Sequence, residues 1–524
     1  MFSPIDSKTL FYAGNVIFKT RDGGNSWHVI SPDLTRTKYD IPECIGIYRK
    51  EDMKTMPRRG VVYTIALSPL DSNIIWAGTD DGFIHVTHNG GKDWENVTPP
   101  RIISWSKISM MDASHTDKQT AYAAMNCIRL DDLRPHIYRT RDGGRSWDEI
   151  VNGLPNDPIN VVKEDPQCKG LLFAGSERAV YVSFDDGEHW QSLRSNMPAT
   201  SIRDLVIKDN DIAIATHGRS FWIIDDITLL REIAKGRANS RVILYKPQTA
   251  CRVRWNLNTD TPLPPDEPAA DNPPDGAIID YHLKENSNDV QLEIFDASGK
   301  LVKHYSSKDT LYTIPDVNIP EYWIRPQKLL SGKAGAHRFL WDMHYQSLNE
   351  PVSYAMSAIY ENTPPAPNAP WVMPGDYTVK LTVNGKTYSQ PLKVIMDPRV
   401  KTNLHDLQIQ HDLSYRCYQD IDKIMTATKE INTTIAKLQH LRSKTTRDDA
   451  AQIDGLIAKA KELLTGKESF ATINGSLGGV FGTLQGIDAA PTTQCMEAAN
   501  AAHTAFEEKM KKWEVLKKEI DNLN

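Results

Sequence analysis

The sequence predicts a mainly β protein: about five β-propeller blades in a closed or incomplete ring, then a small immunoglobulin-like β-sandwich and a C-terminal α-helical bundle. Three observations carry that prediction. One turn motif recurs four times within the first 190 residues. Short apolar strands return at regular intervals around each copy. Beyond residue 400 the apolar period lengthens from two residues to between three and four.

The motif copies are Thr20-Arg-Asp-Gly-Gly-Asn-Ser-Trp27, Thr87-His-Asn-Gly-Gly-Lys-Asp-Trp94, Thr140-Arg-Asp-Gly-Gly-Arg-Ser-Trp147 and Ser183-Phe-Asp-Asp-Gly-Glu-His-Trp190. The Asp or Asn folds back onto backbone amides, Gly takes a positive φ, and Trp opens the outgoing strand of a hairpin. Around each copy the grammar repeats. A strand such as 61–67 runs into a Ser-Pro-x-Asp corner, a second strand (74–78) reaches a polar turn (79–82), and a third (83–87) enters the motif. Units centred on Phe11, Ile74, Tyr122, Leu172 and Ile212 align in this way, and four-stranded units of this kind are propeller blades. The last unit ends in Ile-Ile-Asp-Asp where the motif would stand.

The repeated pattern is similar to the Asp-box, or BNR, repeat. The order of the whole chain resembles a bacterial family of exported Asp-box propeller proteins, related to sortilin-like and sialidase-like propellers and often labelled glycosyl hydrolase. Ala215-Thr-His-Gly-Arg-Ser-Phe-Trp222, Gly335-Ala-His-Arg-Phe-Leu-Trp-Asp342, Pro374-Gly-Asp-Tyr-Thr-Val379 and Asp397-Pro-Arg399 carry that resemblance further along the chain. It implies a secreted, periplasmic or cell-surface protein. A sialidase would resemble a set of an arginine triad, a Tyr–Glu pair and an Arg-Ile-Pro motif near the start, and no such motif precedes the boxes here.

Blades are expected over residues 1–235, a proline-rich connector over 236–278, the sandwich over 279–399 and helices over 400–524. In the sandwich, Asn384-Gly385 joins two alternating strands, a strong two-residue hairpin signal. In the last segment Met496, Ala499, His503, Phe506, Met510, Trp513, Leu516 and Ile520 form one apolar helix face. The glycine-rich stretch 475–482 reads as lying between helices. With no strand before it, it is not a phosphate loop.

A chain of 524 residues suggests three domains, and a net charge of −6 without basic blocks argues against nucleic acid. No apolar run is long enough to span a membrane. The cysteines are scattered, without CxxC or metal spacing, so no cofactor or metal is expected, and only Cys417 with Cys495 suggests a disulfide worth testing. The first residues enter the repeat in mid-unit, since Ser3-Pro4-Ile5-Asp6 matches Ser68-Pro69-Leu70-Asp71. Upstream blades and an export signal, or another chain completing the ring, are therefore expected.

Asp22, Asn89, Asp142 and Asp185, with Trp27, Trp94, Trp147 and Trp190, read as structural. Asn89 makes the point, because an amide locks a turn as well as a carboxylate does but cannot transfer a proton. In a four-stranded meander the opposite end receives the turns between second and third strands and the links between blades. That end would carry Asp80, Asp81, Glu177, Arg178, His217 and Arg219, overhung by Tyr48, Arg49, Arg58 and Arg59. The Arg of His217-Gly-Arg219 is expected to bridge to a neighbouring blade's carboxylate. The first functional reading is binding of an extracellular polymer, glycan or peptide. The alternatives are a glycoside hydrolase using Asp80 or Asp81 with Glu177, and a sortilin-like peptide receptor or assembly factor.

Overall fold

The computed structural model describes residues 1–37, 42, 44, 60–236, 240–254, 272–350, 352–354, 362–366, 368–444 and 447–522. The chain is mostly β, with many antiparallel sheets and five α-helices among the described residues. It divides into two compact units, Met1–Asn239 and Ser240–Asn524.

Among its described residues the first unit holds five antiparallel meanders in chain order. Sheet 1 comprises β1 (Leu10–Ala13), β2 (Ile17–Thr20) and β3 (His28–Val29). Sheet 2 comprises β4 (Val62–Leu67), β5 (Ile75–Thr79), β6 (Ile84–Thr87) and β7 (Glu95–Asn96). Sheet 3 runs β8 (Lys107–Ala113), β9 (Ala121–Asn126), β10 (His136–Thr140) and β11 (Asp148–Glu149). Sheet 4 runs β12 (Ile159–Glu164), β13 (Leu172–Ser176), β14 (Val180–Ser183) and β15 (Gln191–Ser192). Sheet 5 has β16 (Ile202–Lys208), β17 (Asp211–Thr216) and β18 (Phe221–Ile224), followed by helix α1 (Thr228–Ala234). The first strands β4, β8, β12 and β16 lie beside one another in succession. Apolar clusters fill each space between neighbouring sheets: Phe11 and Ile17 against Ile75 and Ala77, Trp76 and Val86 against Ala121 and Tyr138, Tyr122 against Leu172, and Phe173 against Ile202 and Ile214. Strands buried on both faces explain the near-continuous apolar runs in β5, β9 and β13.

The turn motifs close as their chemistry requires. Asp22 accepts from Ser26 N at 3.0 Å, Ser26 Oγ at 2.6 Å and Thr20 Oγ1 at 2.7 Å, and Asp142 repeats the set with Ser146 and Thr140. In the second copy both partners change together. Asn89 Oδ1 accepts from Asp93 N at 3.0 Å, while its Nδ2 donates to Asp93 Oδ2 at 2.8 Å. Each later Trp reaches the preceding sheet. The Nε1 of Trp94, Trp147 and Trp190 donates to the carbonyls of Ile30, Val97 and Ile150, at 2.8 Å each. The motif's second glycine must be glycine: at Gly91, Gly144 and Gly187 φ is +100°, +94° and +89°. A Cβ there would lie 2.5 Å from Ile30 O, 2.8 Å from Val97 Cβ and 2.4 Å from Ile150 Cδ1.

In the second unit, β19 (Val242–Leu244), β21 (Ala277–Leu283) and β24 (Gly335–Trp341) form one sheet. A second sheet has the order β20 (Ala250–Arg252), β26 (Lys386–Met396), β25 (Gly375–Val383), β22 (Val290–Asp296) and β23 (Leu301–Ser306). The two sheets enclose a single core that includes Ile279, Trp341, Leu292, Val379 and Leu392. The connector read over 236–278 thus supplies two strands, one of them, β20, pairing in parallel with β26, while its proline-rich stretch lies outside the described residues.

Four helices follow: α2 (Leu404–Arg442), α3 (Arg447–Leu464), α4 (Phe470–Gln485) and α5 (Thr493–Asp521), packed around Ile424, Ile431, Phe481, Phe506 and Trp513. The glycine-rich stretch is not a connection between helices, as the sequence suggests, but the middle of α4. Ser469 caps that helix by accepting from Thr472 N. Phe470, Ile473, Leu477, Phe481 and Leu484 are buried at helical spacing, and this outweighs a cost of about 1 kcal/mol per glycine. Arg252 and Arg254 both bind the buried Asp488 carboxylate just beyond α4, tying helices to sheets. Cys417 and Cys495 are free thiols. No described helix is long and apolar enough to cross a membrane.

Candidate functional site

The two ends of the first unit differ in chemistry. At one end the motif turns rest on the corners between first and second strands: the amides of Gly90, Gly143 and Asp186 donate to Asn73 O, Gln119 O and Gly170 O at 2.9, 2.9 and 2.8 Å. The motif carboxylates there are held below the ordinary range, Asp142 at about 2, chiefly by the Ser146 hydroxyl and amide. Such groups are saturated acceptors and serve no proton transfer at neutral pH.

The other end gathers the turns between second and third strands and the links between sheets. Glu177 N donates to Pro158 O at 3.0 Å and His217 N to Ser201 O at 2.8 Å, which sets both residues against the links. Glu177 Oε1 accepts from Asn160 Nδ2 at 3.0 Å, Arg203 Nη1 at 3.2 Å and Asn126 Nδ2 at 3.3 Å. Arg203 Nη2 stands 3.2 Å from His217 Nδ1. One carboxylate, two amides, a guanidinium and an imidazole drawn from sheets 3, 4 and 5 thus meet in one network. Burial pushes the Glu177 carboxyl up, but the surrounding donors and the Arg203 charge outweigh it and hold the pKa below the usual carboxylate value.

The remaining sequence candidates sit as follows. Asp81 is 1% exposed. It accepts from Thr79 Oγ1 at 2.6 Å and Arg36 N at 2.8 Å, so it fastens the link after sheet 1. Asp80 accepts from Val61 N at 2.8 Å and pairs with Arg129 at 3.6 Å. Arg178 is largely exposed, with Nε 3.7 Å from Asp157. Arg219 caps its own turn through Thr216 Oγ1 at 3.1 Å. The bridge to the neighbouring sheet's carboxylate is made by Arg203, not by Arg219. Tyr48, Arg49, Arg58 and Arg59 lie outside the described residues.

Asn126, Asn160 and Arg203 were not singled out by the sequence. Asn160 and Arg203 share one signal, a bulge, whereas Asn126 ends β9 in regular register with Lys107. Each first strand changes register near its start, at Val62/Thr64, Ile108/Met110, Ile159/Val161 and Ile202/Asp204. The residue skipped each time is Tyr63, Ser109, Asn160 or Arg203. Bulges re-aim a side chain, and these re-aim it across the joint: Ser109 Oγ donates to Ile159 O at 3.2 Å and Asn160 Nδ2 to Ile202 O at 3.0 Å. A β-branched residue followed by a polar one at each strand start would have flagged Asn160 and Arg203.

Beneath Arg178, Asp157 is 3% exposed and accepts a short hydrogen bond from Ser176 Oγ. Burial pushes its carboxyl up. In the second unit a cavity of about 590 Å³ is lined by Arg254, Arg399, Lys401, Asp397 and Asp488. Its cations are spoken for: Arg399 by Asp397, Arg254 by Asp488 and Lys401 by Pro398 O. Among the described residues no cluster of His, Cys, Asp and Glu could hold a metal ion.

No protein-family model matches the chain, and no curated protein does. Among solved structures it is similar to the GH74 xyloglucanase from Xanthomonas campestris, at 13% identity and TM-score 0.32, over 43% of this chain and 35% of that one. It is also similar to the GH74 enzyme of Niastella koreensis, at 12% identity and TM-score 0.32, over 76% and 56%. A third match is YCF48 bound to D1 peptide, at 16% identity and TM-score 0.24, over 42% and 75%. The chain spans about a third of the length of the Xanthomonas enzyme it matches.

Proposed function

We propose that the first unit is a five-bladed segment of an Asp-box β-propeller in an exported protein, and that its link-side end binds an extracellular polymer, a glycan or a peptide. In this reading the second unit's two-sheet domain is immunoglobulin-like, and it and the helices orient or attach the propeller. The Glu177 network carries the proposal: ionised Glu177 is a fixed acceptor for hydroxyl or amide donors, and exposed Arg178, Arg203 and Arg219 favour a carboxylate-bearing chain.

A second reading, glycoside hydrolysis, draws support from one observation. Asp157 and Glu177 are shifted in opposite directions, as an acid and a nucleophile or base would be. Binding is preferred because the raised carboxyl is buried and the lowered one, itself partly buried, is already engaged by three donors.

The test uses the whole chain against arrays of acidic and neutral glycans and peptides, with Glu177→Gln and Arg203→Ala beside the parent. Binding to one polymer class that weakens tenfold or more in both variants is expected. Turnover of a glycan that Asp157→Asn abolishes would favour the hydrolase. Binding that survives both link-side substitutions would remove the site.

A further inference from the structure

The Trp joints between sheets recur three times, and a fourth stands open. Trp27 holds the same motif position as Trp94, Trp147 and Trp190, yet among the described residues its Nε1 has no acceptor, and it is 40% exposed. A Cβ on Gly24 (φ +93°) would meet nothing but Trp27 itself, at 3.7 Å, where Gly91, Gly144 and Gly187 each meet a residue of the preceding sheet. The register makes Tyr12 the counterpart of Ala77 and Ala123, and Phe18 that of His85 and Tyr138. Those counterparts are buried under a neighbouring sheet, whereas Tyr12 is 64% exposed. Tyr12 packs on Phe18 and on Trp27, ring centroids 6.3 Å apart in both cases, which makes an aromatic patch with an unused indole donor at its edge.

Among the described residues sheet 1 has no full first strand. Met1 to Ser3 occupy the end of that position: Phe2 bridges Leu10 and Phe11 N donates to Met1 O at 2.8 Å. In an antiparallel ladder every second amide faces the same side, so Ala13 N–H points to the same edge as Phe11 N–H, beyond the reach of those residues. Its counterpart Gly78 is covered by β4.

We propose that the outer face of sheet 1 docks a further four-stranded sheet of the Asp-box kind. The fourth strand of that sheet ends on an apolar residue whose main-chain carbonyl accepts Trp27 Nε1–H, and the link leaving it continues as a strand along β1. The proposal extends the propeller reading and does not depend on the polymer bound. A second copy of this chain is the poorer occupant. The face it would offer, Val206, Phe221 and Ile223 of sheet 5, is apolar and exposed, but sheet 5 has three strands and passes into α1 without a motif. It therefore presents no carbonyl where Ile30, Val97 and Ile150 present theirs.

The register supplies a test. Lys163 is the counterpart of Met1 and Glu164 that of Phe2. Residues 107–163 joined directly to Phe2, in place of Met1, would therefore put a copy of sheet 3, with its Ile150 carbonyl, in front of sheet 1 and a copy of Ile159–Lys163 beside β1. In the extended chain Trp27→Phe should lower Tm by about 4–8 °C, while in the parent it should shift Tm by no more than about 1 °C. Equal effects in the two backgrounds would overturn the proposal. Amide exchange on the parent is an independent measurement, needing no engineered fold: Ala13 should exchange at least a hundredfold faster than Gly78, and equal protection would show that the edge is already filled. Sedimentation of the parent should give a monomer. A dimer dispersed by Phe221→Asp would assign the face to a second copy and overturn the proposal as well.

Discussion

Trp190→Phe isolates the contribution of one joint between sheets. Trp190 is 5% exposed, and its Nε1 donates to Ile150 O at 2.8 Å across the space between sheets 3 and 4. Phenylalanine keeps most of the apolar contact with Ile150 and Tyr122 but removes the donor. The lost hydrogen bond is worth about 1 kcal/mol, and a carbonyl left dry costs about 1–3 kcal/mol, so the net loss should be about 2 kcal/mol. For a unit of this size 1 kcal/mol corresponds to about 2–4 °C, which gives a fall in Tm of about 4–8 °C by calorimetry. Trp27→Phe is the internal control, since the same chemical change is made where no described residue accepts the donor. Trp147→Phe, at a half-buried joint, should fall between them. Should Trp190→Phe and Trp27→Phe prove equally mild, the indole bonds do not hold the sheets together, and the motif closes its own turn without fastening one sheet to the next.

Three further outcomes are expected. Asn89→Asp should destabilise the second turn by setting two carboxylates against each other, with a loss that shrinks at acidic pH, and Asn89→Asp with Asp93→Ser should recover the parent Tm. His85 is buried under sheet 1, and burial lowers its pKa to about 4 from an ordinary 6.5. The unfolded chain therefore takes up a proton the folded chain refuses, so stability should fall by about 3 kcal/mol as pH drops from about 6.5 to 4. His85→Gln should show a correspondingly flatter pH profile of urea unfolding. Asp488→Asn strands Arg252, which is 3% exposed. It should lower the Tm of the second unit by the equivalent of about 3–5 kcal/mol, read in the calorimetric transition assigned to that unit.

Much of this molecule is legible from short stretches of chain. Each turn motif closes its hydrogen bonds within four residues, from Thr20 to Ser26 or from Thr140 to Ser146. Its residue types therefore suffice to identify it, and its meander suffices to say which end of the sheets it occupies. The long helices are equally plain, because an apolar face at three- and four-residue spacing is a local property of α2, α3 and α5. Helix α4 was hidden by its glycines, whose cost is offset only by the core that Leu477 and Phe481 enter. Strands β19 and β20 were hidden because each has three residues and finds its partner far along the chain, Leu244 at Tyr281 and Ala250 at Val394.

The candidate site divides along the same line. Glu177 and His217 could be placed from the turns that carry them. Asn126, Asn160 and Arg203 could not: the bulges at Asn160 and Arg203 are invisible until two strands are paired, and Asn126 meets Glu177 only across neighbouring sheets. Sequence alone determined the repeated turn, the sheets it closes and the end of them that the turn occupies, because those depend on bonds between near neighbours. Tertiary structure decided which side chains meet there, and which carbonyl each indole finds 40 to 64 residues away. Those contacts exist only once separate sheets are stacked, and the spacing of residues along one strand carries no record of its neighbour's register.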